Sequence, residues 1–352
     1  MAGSDRTRVL AAIIAAIALV GSACTRGVSS GSINAQPPDL YAAMPALSDV
    51  RTLLGDDNWW QGPPSFGVRP LDTSSMPFNQ KFSVTQPFVH IGTAETLEVD
   101  FELWSSTSTA SSHMSSVQSA LGTSAITSPK VGDQAIYYGS QASGAAPYQT
   151  VTLVRVGQIV AIIGLDLKDK FPTVSQLAKI AAKVVSRLKD VISGKLHGSP
   201  LSASDATVLP AADRDITLLG TARISVEAAM VMIEAPSIDS LSQTLRGLGV
   251  NDVIFGDYAL DKDTRMEVRA SVFTFLTAKD ASDWATVLRG VNPVDQPGFF
   301  DSSHGWYMFP LAAGTRGALL ICRSTAASEA ASRACEAPLS QVIAAWKLSL
   351  SA

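Results

Sequence analysis

Leu97-Glu98-Val99-Asp100-Phe101-Glu102-Leu103-Trp104 alternates apolar and polar side chains along its whole length. A period of two is the signature of a β-strand with one buried face. The Ser, Thr and Ala residues of 109–121 follow it as a weak helix. Residues 131–137, 150–156 and 157–164 read as further strands, with a hairpin turn at Val156-Gly157. Residues 174–192 then carry Leu177, Ile180, Ala181, Val184, Val185 and Leu188 on one helical face. Lys179, Lys183, Arg187 and Lys189 are left for water, so this is an amphipathic helix closing the sheet.

The same order returns in the second half. Two short helices, 225–233 and 237–248, are divided by Pro236. Residues 265–275 alternate like a strand, and a helix over 279–291 carries Trp284, Val287 and Leu288. Residues 305–309 and 317–322 are strands, and a last helix from Pro338 presents Leu339, Val342, Ile343 and Trp346. Leu97-Glu98-Val99 matches Met266-Glu267-Val268, the strand opening at Gly157 matches the one opening at Gly317, and Ser175-Gln176-Leu177 matches Ser340-Gln341-Val342. The expected fold is therefore α+β: two similar domains, each with helices packed on an antiparallel sheet. Residues 46–192 form the first domain and 214–352 the second, joined by a Ser-, Gly- and Pro-containing linker at 193–213.

The N-terminus sets the expected location. Arg6 and Arg8 precede an apolar run over 9–20, which ends in Gly21-Ser22-Ala23-Cys24. A basic start, a short apolar run and a small-residue exit make residues 1–23 a secretory signal. The exit resembles a bacterial lipobox, although Gly21 stands where that family usually has Leu or another aliphatic residue. The resemblance implies cleavage before Cys24, lipid on its thiol, and a protein anchored on the extracytoplasmic face of the cell membrane. Two alternatives stand beside it: an ordinary signal cut after Ala23, and a retained anchor, for which the run falls short of the roughly 20 apolar residues of a spanning helix. Residues 24–45, rich in Ser, Gly, Pro and Gln, read as a flexible tether.

The formal net charge is −4, which argues against a nucleic-acid partner. With Cys24 taken by the signal, Cys322 and Cys335 remain as an even pair in an oxidising compartment, and a disulfide between them is expected. Such a loop contributes roughly 3 kcal/mol on the chain-entropy account. Two buried free thiols are the alternative.

The residues do not spell a reaction. There is no Gly-x-Ser-x-Gly elbow, and His90, His113, His197 and His304 stand in no recognisable catalytic motif. His304, in Asp301-Ser302-Ser303-His304-Gly305-Trp306, has a nucleophile-like neighbourhood that reads equally as a polar hairpin turn. Asp56-Asp57, Asp213-Arg214-Asp215 and Asp261-Lys262-Asp263 read as turns or helix caps, and Gly247-Leu248-Gly249 lacks the context of a phosphate loop. No catalytic residue, metal ligand or cofactor is expected. The candidate binding residues are two aromatic pairs, Trp59-Trp60 beside Gly62-Pro63-Pro64 and Trp306-Tyr307 beside His304. Core filling is the alternative for both pairs.

Gly132-Asp133-Gln134-Ala135, Gly256-Asp257-Tyr258-Ala259, the Arg155-Val156-Gly157-Gln158-Ile159 strand and the closing amphipathic helices together resemble actinobacterial exported proteins, which pair a lipobox with PknH-like extracellular sensor domains. The resemblance spans most of residues 40–350. That family often has two disulfides per sensor domain, whereas the first half here has no cysteine beyond Cys24. It implies an envelope location and sensing of a ligand or partner. The expected function is a non-enzymatic ligand-binding or sensing lipoprotein, its partner a small molecule, a lipid or an envelope protein. An envelope scaffold working through protein–protein contacts is the alternative.

Overall fold

The computed structural model describes residues 34–67, 79–93, 95–122, 125–126, 129–141, 148–213, 215–260, 266–290, 292, 298–324, 330 and 333–351. The expected signal, Cys24 and Asp261-Lys262-Asp263 lie outside the described residues. The chain parts into two compact units at Ser199/Pro200. Among the described residues, no helix is long and apolar enough to cross a membrane.

The N-terminal unit runs α1 (Pro37–Ala42), α2 (Leu47–Leu54), β1 (Trp59–Gln61), β2 (Ser65–Phe66), β3 (Gln80–His90), β4 (Thr96–Trp104), α3 (Thr107–Leu121), β5 (Ala125–Ile126), β6 (Gln134–Gln141), β7 (Tyr148–Val156), β8 (Ile159–Leu167) and α4 (Val174–Ile192). Its sheet has the order β1-β3-β4-β8-β7-β6-β5, every pair antiparallel, with β2 also on β3. Alternation along β4 sends Leu97, Val99, Phe101 and Leu103 to one face, where all four are buried. Helix α4 packs against β7 and β8 on that face, with Val185 beside Val154. Helix α3 covers the other face through Ala110, Met114 and Val117, which meet Trp104, Ile136, Leu153 and Val160.

The C-terminal unit runs α5 (Ala203–Ala206), β9 (Ile216–Ile224), α6 (Val226–Met232), α7 (Ile238–Gly247), β10 (Val253–Leu260), β11 (Met266–Thr274), α8 (Ala278–Arg289), β12 (Phe299–Asp301), β13 (Trp306–Ala313), β14 (Arg316–Ser324) and α9 (Glu336–Ser351). The sheet order is β12-β13-β14-β11-β10-β9, again antiparallel throughout. Leu339, Val342, Ile343 and Trp346 of α9 bury against Val268, Ala270, Phe309 and Leu320. The expected disulfide is present: Cys322 on β14 is joined to Cys335 at the start of α9, with Cα atoms 6.3 Å apart.

The two sheets share one plan. The order β1-β3-β4-β8-β7-β6 corresponds strand for strand to β9-β10-β11-β14-β13-β12, and in each unit a helix follows the central strand and another closes the chain. Two-residue hairpins fix the correspondence. Gly157 joins β7 to β8 and Gly314 joins β13 to β14, each with positive φ, 60° and 54°. Leu103 then pairs with Ile159 where Thr274 pairs with Arg316. Three residues on, Ser106 and Thr277 cap helices α3 and α8 by accepting the amides of Thr109 and Asp280, both at 3.1 Å. Those helices end on Gly122 and Gly290 in nearly the same conformation, φ 52° ψ −121° and φ 59° ψ −125°.

This register corrects the matches drawn from sequence. Leu97-Glu98-Val99 corresponds to Val268-Arg269-Ala270, and Gly157 to Gly314 rather than Gly317. The β4 match slips by two, which keeps every side chain on its face, so alternation alone cannot detect it; the Gly157 match slips by three, and the positive-φ hairpin glycines correct it.

Two boundaries also move. The expected tether, 24–45, ends early. Pro37 and Pro38 open helix α1, where a fixed φ suits the first turn, and Leu40, Ala43 and Met44 bury beneath it. Arg187 of α4 donates to the carbonyls of Ala42 and Ala43 at 2.6 and 3.1 Å. The expected linker, 193–213, is irregular apart from α5 but is tied down at both ends. Gly198 donates its amide to Asp39 of the N-terminal unit. Val208 and Leu209 enter the C-terminal core, Trp346 donates to the Val208 carbonyl at 2.7 Å, and Tyr258 donates to that of Pro210 at 2.8 Å. Ser and Pro made this stretch look like a linker, but one apolar pair anchors it.

Candidate functional site

The aromatic pairs expected to bind are largely core. Trp59 is 2% exposed and meets the His90 ring edge-on at 5.4 Å. Trp60 is half-buried, with the Arg51 guanidinium 4.6 Å over its ring. Trp306 is buried and stacked on His304, and Tyr307 is buried in the α9-facing core. Adjacent residues in a strand point to opposite faces, so neither pair forms one surface. The two pairs also belong to different units. Core filling is the reading that holds for Trp59, Trp306 and Tyr307.

The Asp301–His304 stretch is a turn. Ser303 Oγ and Asp301 Oδ2 both lie on the same ring nitrogen, His304 Nδ1, at 2.9 and 2.5 Å. A hydroxyl activated by imidazole needs the acid on one ring nitrogen and the hydroxyl on the other. His90 is committed on both nitrogens, to Asp56 at 3.0 Å and Thr93 at 2.8 Å. Among the described residues, no group of three His, Cys, Asp or Glu side chains is placed to hold a metal.

The informative place is the seat of α3, which sequence reasoning did not single out. The shared register sets Glu102 opposite Phe273, Trp104 opposite Phe275, Val160 opposite Gly317 and His113 opposite Trp284. In the C-terminal unit the position is an aromatic lock: Trp284 lies 4.6 Å from Phe273 and 5.9 Å from Phe275. Gly317 makes room for it, since a Cβ there would stand 2.7 Å from the Phe275 ring and 2.8 Å from the Trp284 ring. In the N-terminal unit the same lock is polar. His113 stacks on Trp104 at 4.4 Å, and Trp104 Nε1 donates to Glu102 Oε2 at 3.2 Å. His113 Nε2 is 3.8 Å from that oxygen, too far for a hydrogen bond.

Burial decides the charge state of this trio. It pushes the Glu102 carboxyl up to about 8, helped by Asp100 two residues along, against the opposing Trp104 hydrogen bond. Burial pushes His113 down to about 4. Both shifts favour the uncharged forms of the two side chains. Asp100, which accepts from Thr85 Oγ1 at 2.9 Å, is pushed up to about 6 by burial.

On the other flank of α3 lies a cavity of about 310 Å³. Met114 and Gln118 of α3 form one wall, and the irregular segment over 129–133 with the start of β6 forms the other. That segment is latched in place. Asp133 Oδ2 accepts from Arg155 Nη1 at 3.2 Å and from the Gly157 amide at 2.8 Å, while Arg155 Nε donates to Gln134 Oε1 at 2.5 Å. Gly132 adopts φ 67°, and a Cβ there would meet the Arg155 carbonyl and Val154 Cγ1, both at 2.6 Å. Gly132-Asp133-Gln134 and Arg155-Val156-Gly157, two of the stretches that carry the family resemblance, thus form one structural latch. Gly256-Asp257 lies inside β10 and is not its counterpart.

The cavity is half open, its exposed lining is more polar than apolar, and its volume is at the lower end of the range of ligand pockets. No family model matches the chain, and no curated protein matches it. Among solved structures, the extracellular domain of PknH from Mycobacterium tuberculosis is similar over 46% of this chain and 100% of that chain, at 12% identity and a TM-score of 0.37. Crystal form I of TP0453 is similar over 89% of this chain and 99% of that chain, at 10% identity and a TM-score of 0.31.

Proposed function

We propose that this chain is a lipid-anchored, extracytoplasmic binding or sensing module that holds a small molecule beside helix α3 of its N-terminal unit and performs no reaction on it. One observation carries the reading. Two copies of one fold carry the same helix on the same strands, and only one copy fills the seat with a Phe-Phe-Trp lock. The other places Glu102, Trp104 and His113 there, and a cavity that none of the three lines opens on the opposite flank of the same helix. A buried carboxyl and imidazole cost stability that the aromatic version does not. A binding role for α3 accounts for that cost.

The anchor rests on the basic start, the short apolar run and the exit at Ala23-Cys24. A second reading, an envelope scaffold, draws on Leu276, Val287 and Leu348 of the C-terminal unit, which are 70%, 77% and 76% exposed. Singly exposed apolar side chains are ordinary, which favours the first reading. The test is mass spectrometry of small molecules that co-purify with the membrane-extracted protein, compared with Met114→Trp, which fills the cavity wall. A small molecule held by the wild type and lost from the variant supports the reading. Stoichiometric capture of an envelope protein, with no small molecule, replaces it with the scaffold.

A further inference from the structure

We infer that α3 is a proton-controlled lid: it lies on the sheet while the Glu102 carboxyl keeps its proton and lifts when that proton is lost. The inference adds a means of control to the binding role proposed above, and its test needs no ligand.

The carboxyl sits under the helix with nothing to match its charge. Glu102 is 7% exposed. Among the described residues, Trp104 Nε1 is its one hydrogen-bond donor, and no Lys or Arg pairs with it. β3 sets Ser83 opposite Glu102, and β8 sets Val160 there. β4 itself brings Asp100 and, one step further, Glu98 on the same face. On β7, Arg155 shares that face but is committed to Asp133, Gln134 and the Gly157 carbonyl. α3 brings His113, whose Nε2 is 3.8 Å away and whose burial favours the neutral ring. Loss of the Glu102 proton therefore leaves a buried carboxylate beside a second acid, a state that desolvation opposes. The raised Glu102 value, set first by burial and then by Asp100, agrees with that placement.

The helix is held lightly enough for one charge to matter. Ala110, Met114 and Val117 are its buried side chains. Ser and Thr supply much of the rest, and they are weak helix formers. Both ends are break points: Ser106 caps the start in extended backbone, and Gly122 ends it at a positive φ of 52°. Such a segment can leave the sheet as a unit while β3, β4 and β8 stay paired. Met114 and Gln118 go with it, so the α3 wall of the cavity opens. The matching helix α8 rests its Trp284 on Phe273 and Phe275, rings with no proton to lose. An acid whose proton is held more tightly in the seated state favours that state below its ordinary 4.5 and releases it as pH rises through about 8.

The experiment is hydrogen exchange of the full chain, read segment by segment by mass spectrometry from about pH 5 to about pH 9 and corrected for intrinsic rate, on wild type and Glu102→Gln. Wild-type α3 is expected to lose protection by about tenfold per pH unit through the middle of that range, the slope of one linked proton. Helix α4 and strands β4 and β8 are expected to keep theirs. In Glu102→Gln, α3 is expected to hold its protection throughout. In the wild type, the infrared band of a buried protonated carboxyl is expected to fade over the same range, which keeps the test decisive if the variant does not fold. An equal loss in α3 and α4 overturns the lid, because the whole unit then opens together. A loss that persists in Glu102→Gln, or wild-type protection of α3 that is flat with pH, overturns the control by Glu102.

Discussion

His113 and Trp284 stand at the same point of the same fold, each equally far along a helix capped by Ser106 or Thr277, and each facing the central strand of its sheet. One ring packs on Phe273 and Phe275, and the other stacks on Trp104 beside a carboxyl. Making the N-terminal unit resemble its partner is therefore a defined experiment. Glu102→Phe with His113→Trp, combined with Val160→Gly to give the room that Gly317 gives Trp284, is expected to stabilise that unit by about 1–4 kcal/mol, because a buried acid gives way to apolar packing. Differential scanning calorimetry checks it. A destabilised variant would show that the polar trio is a packing solution of its own.

The same trio sets a pH dependence. Glu102 has a folded pKa of about 8 against an ordinary 4.5, so its contribution is complete below about pH 4.5 and is lost as pH rises through about 8. Asp100, raised to about 6, adds a loss of the same sign at lower pH. His113, lowered to about 4, contributes stability that is present above its ordinary 6.5 and is lost as pH falls through about 4. Melting temperature measured from pH 5 to 9 is expected to fall relative to Glu102→Gln as pH rises. A constant offset between wild type and variant across that range refutes the buried, protonated carboxyl.

The latch is tested at Gly132. Any other residue there meets a positive φ of 67° and a carbonyl 2.6 Å from its Cβ. Gly132→Ala is expected to cost about 1–3 kcal/mol in the N-terminal unit and to weaken ligand capture as the 129–133 wall shifts. Gly55→Ala, at a positive φ of 74° but with nothing within 4 Å of a Cβ, separates backbone strain from collision. Equal losses from the two substitutions would mean that the contact with Arg155 is unimportant.

The disulfide acts on the C-terminal unit. Cys322 and Cys335 tie β14 to α9, whose Trp346 reaches back to Val208. Replacing both cysteines with Ala is expected to lower the stability of that unit by about 2–4 kcal/mol and to leave the N-terminal transition in place. Two calorimetric transitions, only one of which moves, are the expected record.

Much of this fold is legible in the sequence, for physical reasons. Alternation marks β4, short apolar runs broken at Gly157 mark β7 and β8, and the apolar stripe of α4 names the residues that are in fact buried: Leu177, Ile180, Ala181, Val184, Val185 and Leu188. These patterns are local and periodic. The correspondence between the copies was partly hidden, because a strand tolerates a slip of two and only turn glycines and helix caps fix the register. The seat of α3 was hidden more deeply. Glu102 falls on the polar beat of an alternating strand, which reads as a solvent face, and it is buried because the helix that follows, α3, folds back over it. Aligning Ser106 with Thr277 would have set His113 opposite Trp284 from sequence alone. The aromatic pairs misled for the opposite reason: neighbours in sequence, they separate onto two faces once the strand forms.

The last prediction concerns the boundary. Ser and Pro over 193–213 suggest a long cleavable linker, but Val208, Leu209 and Pro210 are held by the C-terminal core, and Gly198 is held by Asp39. Only the few residues around Ser199 and Pro200 separate the two sets of contacts. Limited proteolysis is therefore expected to cut close to that junction and to spare 203–213, leaving each piece folded around its own sheet. Fragments 34–199 and 200–352, expressed separately, are expected to melt cooperatively. A C-terminal fragment begun at residue 214 lacks Val208, Leu209 and the carbonyls that satisfy Trp346 and Tyr258, so a fall of several kcal/mol relative to the fragment begun at 200 is expected. Equal stability of the two C-terminal fragments would return 200–213 to the role of a linker.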